Sequence, residues 1–105
     1  MTNEATPITL EGADGINLAV DRRGDPDRPV VLLLHGAGQT RHAWHRTAGR
    51  LTAAGFCTVA VDLRGHGDSD WAPGGDYRRH AFAADIQALR RQLGPLAAVV
   101  GASLG

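Results

Sequence analysis

Apolar and polar residues alternate near the start of the chain. The apolar positions flank the sequence ADG and are Ile8, Leu10, Ile16, Leu18 and Val20. A period of two indicates strands with one buried face, and Asp14–Gly15 is typical of the tight turn between two such strands. The N-terminal segment therefore predicts a β-hairpin.

Three later apolar runs show no such alternation. They are VVLLL at 30–34, CTVAV at 57–61 and LAAVV at 96–100. Short continuous apolar runs are typical of strands in a parallel sheet, because helices cover both of its faces. The segment RRGDPDRP, rich in glycine and proline, predicts a loop between the hairpin and the first of these strands.

Helical spacing lies between these runs. The first stripe ends at Gly55 and consists of Trp44, Ala48 and Leu51; the second ends at Gly94–Pro95 and consists of Phe82, Ile86, Leu89 and Leu93. Strands and helices thus alternate, which predicts an α/β fold. We expect one domain over residues 1–105, with an N-terminal β-hairpin, a mostly parallel sheet and flanking helices.

Composition narrows the class of protein. The chain is 43% hydrophobic, 21% charged and has a net charge of zero, so we expect no nucleic-acid partner. No apolar run approaches the roughly 20 residues of a membrane span, so we expect no membrane partner. The single cysteine, Cys57, lies in an apolar run and predicts a buried reduced thiol. With an N-terminus that lacks the pattern of a signal peptide, this indicates a cytoplasmic protein.

The sequence GASLG, residues 101–105, follows the last apolar run. Gly101, Ser103 and Gly105 match the pattern Gly-x-Ser-x-Gly directly after a predicted buried strand, which is the context of a nucleophile elbow. Small flanking residues allow the sharp turn that exposes the serine hydroxyl. The backbone N–H of Leu104 is then a candidate oxyanion donor.

A second glycine-rich sequence, HGAG, follows the strand predicted at 30–34. It comprises His35, Gly36, Ala37 and Gly38. A loop of this kind can direct a backbone N–H toward the serine and supply the second oxyanion donor.

A third motif, VDLRGHGDSD at 61–70, also follows a predicted strand. With these three motifs in this order, the chain resembles the N-terminal part of an α/β-hydrolase fold enzyme, from the hairpin to the nucleophile elbow. It is similar to bacterial hydrolases described as esterases, lysophospholipase-like proteins or non-haem peroxidases. The resemblance implies Ser103 as the nucleophile and the amides of Ala37 and Leu104 as the oxyanion hole.

The other polar residues have simpler interpretations. A general base is a possible role for His35 or His66, but in the resembled family the first position is architectural, and we expect both to fix loops by hydrogen bonds. We expect Asp62 to be a loop-fixing acceptor, because the family's triad acid follows the elbow. The other three histidines, His42, His45 and His80, are expected on helices and in solvent. We expect neither a metal nor a cofactor.

A serine nucleophile needs a histidine base and an acid, and in α/β-hydrolases both follow the serine in the chain. Nothing follows Gly105 here, so we interpret the chain as a truncated α/β-hydrolase fold that ends at its elbow and is inactive alone. The parent enzyme is expected to cleave an ester or related acyl bond of a small-molecule substrate through an acyl-enzyme.

Serine at 103 disfavours epoxide hydrolysis and dehalogenation, since these relatives use a carboxylate nucleophile. Two alternatives stay open: a haloperoxidase or perhydrolase of the same fold, and a non-catalytic remnant.

We further expect the run at 96–100 to be an apolar edge strand without a bulge or a covering helix, so that the chain self-associates.

Overall fold

Five strands form one mixed sheet in the computed structural model, which describes residues 4–102. The strands are β1 (Thr6–Glu11), β2 (Asn17–Arg23), β3 (Val30–Leu34), β4 (Cys57–Val61) and β5 (Leu96–Gly101). Their spatial order is β1-β2-β4-β3-β5. β1 and β2 form the predicted antiparallel hairpin, β2 is antiparallel to β4, and β3 runs parallel to both β4 and β5. The predicted α/β architecture is confirmed.

The adjacent strands β3 and β4 are buried on both faces. Alternate residues of β3 and β4 point to opposite sides, so each strand contributes to two cores. Leu32, Val59 and Val61 pack with Leu89 on one side, whereas Val31, Leu33, Ala48 and Ala60 pack together on the other. This two-sided burial is why the sequence of both strands is apolar without alternation.

Two α-helices supply these covering layers. α1 (His45–Ala53) follows a 3-10 turn at Arg41–Trp44 and contributes Ala48 to one core. α2 (Arg79–Leu93) contributes Leu89 to the other. Both helices end near the predicted glycines, and both Gly55 and Gly94 have positive φ. The two helical stripes in the sequence thus correspond to the two layers.

β5 forms one edge of the sheet within residues 4–102, beside β3. Its Val99 and Val100 side chains are 48% and 38% exposed. One detail of the prediction is wrong: the register shifts between Val30, which faces Leu96, and Val31, which faces Ala98. A bulge therefore lies at the start of β5, because one residue of β5 is inserted relative to β3.

Candidate active site

The parallel strands bring the first residues of the three sequence motifs together at the carboxyl end of the sheet. Leu34, the last residue of β3, lies in register with Val61 of β4 and Gly101 of β5. The segments that begin at His35, Asp62 and Ala102 therefore leave the sheet side by side. The N–H of Ala102 donates to the carbonyl of Leu34 at 3.0 Å, which holds the end of β5 against β3.

Part of the predicted site lies beyond this point. Ser103, Leu104 and Gly105 lie outside the described residues. The structure therefore shows β5, which precedes the predicted nucleophile in the chain, and the loops beside its end. It also shows the predicted site residues His35, Gly36, Ala37, Gly38 and Gly101.

The loop at 36–39, called the HG loop below, uses most of its backbone N–H groups internally. The N–H of Gly36 donates to Oε1 of Gln39 at 3.2 Å, and that of Gln39 donates to the carbonyl of Gly36 at 3.1 Å. The N–H of Gly38 donates to Nε2 of His66 at 3.1 Å. Within residues 4–102, the exposed Ala37 is thus the residue of this loop whose N–H has no acceptor. That amide is available to a ligand.

Two histidines, His35 before the HG loop and His66 in the motif at 61–70, lie next to each other. Nε2 of His35 accepts the N–H of Leu63 at 3.0 Å, and Nδ1 lies 2.7 Å from the carbonyl of Gly36. The ring centroids of His35 and His66 are 4.8 Å apart. Burial lowers the pKa of His35 below its ordinary value and outweighs the effect of the Gly36 carbonyl, which raises it. The neutral imidazole is therefore the form that the fold favours.

Asp62, the first residue after β4, is fully buried and acts as a hub of hydrogen bonds. Its carboxylate accepts the backbone N–H of Arg41 at 2.6 Å and that of Asp68 at 2.9 Å, and it pairs with the Arg41 guanidinium. Burial alone would raise the pKa of Asp62, but the two amides and the charge of Arg41 lower it overall. Asp62 is therefore held as a carboxylate that fixes the surrounding loops.

Arg41 is a buried cation that the sequence did not reveal. It also pairs with Asp21 of β2 at 3.1 Å and with Asp68 at 3.0 Å. The burial of Arg41 lowers its pKa, yet the three carboxylates outweigh that effect and raise it. No local pattern marks this residue, because its partners come from β2 and from the motif after β4.

A second buried ion pair joins the motif at 61–70, called the RGHG motif below, to α2. Nε and one terminal nitrogen of Arg64 donate to the two carboxylate oxygens of Asp85 at 2.7 and 2.8 Å. The same carboxylate accepts the N–H of Ala13 at 2.9 Å. The hydrogen bonds to Asp85 raise the pKa of Arg64 and outweigh its burial. Asp85 was missed, although its position four residues before the core residue Leu89 places it on the buried face of α2.

Gly67 is required by the close approach of this motif to Asp62. Its φ is +51°, and a Cβ at this position would overlap the Asp62 carboxylate. The HG loop, the RGHG motif and Asp62 thus form one compact unit at the carboxyl end of the sheet.

The remaining histidines, His42, His45 and His80, are exposed. Within residues 4–102, no three side chains of histidine, cysteine, aspartate or glutamate are grouped as metal ligands. No helix in the described range has the length and apolar character needed to cross a membrane.

Comparison with known proteins defines the class. The family model described as alpha/beta hydrolase fold matches residues 29–105. An esterase of Mycobacterium tuberculosis is 40% identical over 78 residues, covering 73% of this chain and 25% of the relative. Epoxide hydrolase 1 of Siraitia grosvenorii is 37% identical over 82 residues, covering 77% of this chain and 26% of the relative. The thioesterase domain from the curacin biosynthetic pathway superposes with a TM-score of 0.88 at 35% identity, covering 98% of this chain and 38% of that domain.

These matches describe a hydrolase scaffold. The chain belongs to the alpha/beta hydrolase fold family. It spans about a quarter of the length of the two curated relatives named above.

Proposed function

We propose that this chain forms the N-terminal part of a serine hydrolase, called the complete enzyme below, which cleaves an ester or related acyl bond in a small molecule. The observation that carries this proposal is the available N–H of Ala37 in the HG loop. Ala37 follows Leu34 by three residues, and Leu34 lies in register with Gly101 of β5, two residues before Ser103. Backbone donors of this kind stabilise the tetrahedral intermediate of acyl transfer.

The proposed reaction has two halves. In the first, the hydroxyl oxygen of Ser103 attacks the acyl carbonyl and gives its proton to a base, while the amides of Ala37 and Leu104 donate to the oxyanion. Collapse of this intermediate breaks the acyl bond, and the leaving group departs with the proton returned by the base. In the second half, water attacks the acyl-enzyme and releases the acid and free Ser103.

The base in this scheme is a histidine that follows Ser103 in the complete enzyme. The described loop histidines are poor candidates, since Nε2 of His35 and Nε2 of His66 each accept a backbone amide. A base needs that lone pair to take the proton of the serine. For this reason we expect the 105-residue chain alone to show no turnover that depends on Ser103.

The choice between acyl transfer and epoxide opening rests on residue 103. The chain is similar both to an esterase and to epoxide hydrolases. Members of this family that open epoxides or remove halides use a carboxylate nucleophile, whereas this chain has a serine within GASLG. The serine therefore favours the ester or thioester reaction.

A cytoplasmic location belongs to the same proposal, and the free, buried Cys57 agrees with a reducing compartment.

The kinetic test is Ser103→Ala in the complete enzyme, with an activated ester as substrate. We expect kcat to fall by about 10⁴-fold or more, the scale on which triad residues act. Thr47→Ala, which removes an exposed hydroxyl from α1, is the matched control and should leave kcat unchanged. Unchanged turnover in the Ser103 variant would place the active site elsewhere.

A further inference from the structure

The two loop histidines form a reciprocal pair of contacts. His35 belongs to the strand end before the HG loop and accepts an amide of the other motif, from Leu63. His66 belongs to the RGHG motif and accepts an amide of the HG loop, from Gly38. Each ring also places Nδ1 near a carbonyl close to it in the chain, Gly36 for His35 and Arg64 for His66, at 2.7 and 3.0 Å.

These contacts determine the tautomer of the His66 imidazole. An amide N–H can only donate, so Nε2 of His66 must carry a lone pair toward Gly38. A neutral imidazole with an unprotonated Nε2 carries its proton on Nδ1, and Nδ1 faces the Arg64 carbonyl, which can only accept. The neutral Nδ1–H tautomer therefore satisfies both contacts, and the other tautomer satisfies neither.

We propose that His66 is a positioning residue: its neutral imidazole holds the Gly38 amide and thereby fixes the HG loop in the conformation that leaves the Ala37 N–H free as an oxyanion donor. This inference rests on the proposed function. Gly38 has a φ of +78°, and nothing lies within 4 Å of the position its Cβ would occupy. Within residues 4–102, no neighbouring side chain therefore restrains this position by packing. The Gly38 amide is tied to a second loop by its hydrogen bond to His66.

The consequence for catalysis is selective. The oxyanion donor acts on charge that develops in the transition state, so displacement of the Ala37 amide lowers kcat more than it raises KM. A residue that only supports folding would also lower apparent kcat at unchanged KM, because fewer molecules are folded. The kcat values are therefore calculated per folded molecule, with the folded fraction measured by circular dichroism, and a purely structural role predicts no change in kcat on that basis.

The kinetic test compares three substitutions in the complete enzyme. His66→Phe keeps a ring but has no acceptor, and we expect kcat to fall by about 10- to 100-fold with KM changed less than about threefold. His66→Gln places an amide oxygen near the position of Nε2 and should recover most of that loss. His80→Gln, an exposed histidine of α2, is the control and should leave both constants unchanged. Equal losses in the Phe and Gln variants, or full activity in the Phe variant, would overturn the inference.

A second measurement is independent of activity. The ¹⁵N chemical shifts of His66 in the complete enzyme should show a protonated Nδ1 and an unprotonated Nε2, and the opposite tautomer would overturn the inference even if His66→Phe failed to fold. The Ser103→Ala variant distinguishes a failure of the proposed function from a failure of the role proposed for His66. Turnover that survives this substitution contradicts the proposed function, whereas its loss together with a fully active His66→Phe contradicts only the role of His66.

Discussion

Single glycines decide how the HG loop presents its amide. Gly38 lies in the left-handed region of φ, which L-residues with a branched Cβ avoid. Gly38→Val should therefore rotate this part of the loop and lower kcat by at least about tenfold, because the Ala37 amide no longer meets the oxyanion. The measurement is steady-state kinetics of the complete enzyme with an activated ester.

Gly74→Val provides the matched control for that substitution. Gly74 also has a positive φ, +67°, and nothing lies within 4 Å of the position of its Cβ. The backbone strain is thus similar, but the residue belongs to the turn at Pro73–Gly75 and not to the HG loop. Equal losses of kcat in the two variants would show that strain alone, and not the position of the oxyanion donor, is responsible.

At the scale of elements, Asp62 joins the end of β4 to the segment before α1 and to the RGHG motif. Its folded-state pKa lies below the unfolded value of 3.8, so the folded state binds fewer protons near that pH. The ionised carboxylate therefore stabilises the fold above about pH 4, and this contribution is lost as the pH falls through the folded-state pKa.

Asp62→Asn should consequently lower the free energy of unfolding at pH 7 by about 3–5 kcal/mol, the scale for breaking a buried ion pair. It should also weaken the loss of stability on acidification below pH 4. Urea unfolding of the complete enzyme at several pH values measures both effects. The control is Asp27→Asn in the exposed loop before β3, and an identical acid profile for the Asp62 variant and the wild type would contradict this role.

Most elements of the fold follow from local patterns in the sequence. The runs at 30–34 and 57–61 predicted β3 and β4 with their observed bounds, because burial on both faces makes every position within them apolar except Thr58. The links between elements did not follow. Arg41 and Asp85 are buried charges whose partners are distant in the chain, and only the folded sheet brings those partners together. The bulge in β5 was missed for a related reason, since register depends on the neighbouring strand.

At the scale of the whole molecule, we expect the exposed edge of β5 to determine whether the 105-residue chain associates on its own. Val99 and Val100 are exposed there, and unpaired strand edges promote association. We predict that the chain alone elutes from a size-exclusion column above its monomer mass of 11.0 kDa and binds a hydrophobic dye. Val100→Lys should reduce both effects, because a charged residue on an edge strand opposes pairing.

The control for this experiment places the same charge elsewhere. Ala83→Lys adds a lysine to the exposed side of α2 and should leave the association unchanged. A monodisperse monomer that excludes the dye would contradict the prediction, despite the exposed edge that β5 forms within residues 4–102.

We propose that Ser103 is an activated nucleophile beside the Ala37 amide. The most direct test of this proposal is to treat the complete enzyme with a fluorophosphonate, which transfers a phosphonyl group to activated serine hydroxyls, and to locate the adduct by peptide mass spectrometry. We predict one phosphonyl group on Ser103, loss of ester turnover in proportion to labelling, and no adduct in Ser103→Ala. An active enzyme whose Ser103 stays unlabelled while another residue carries the adduct would contradict it.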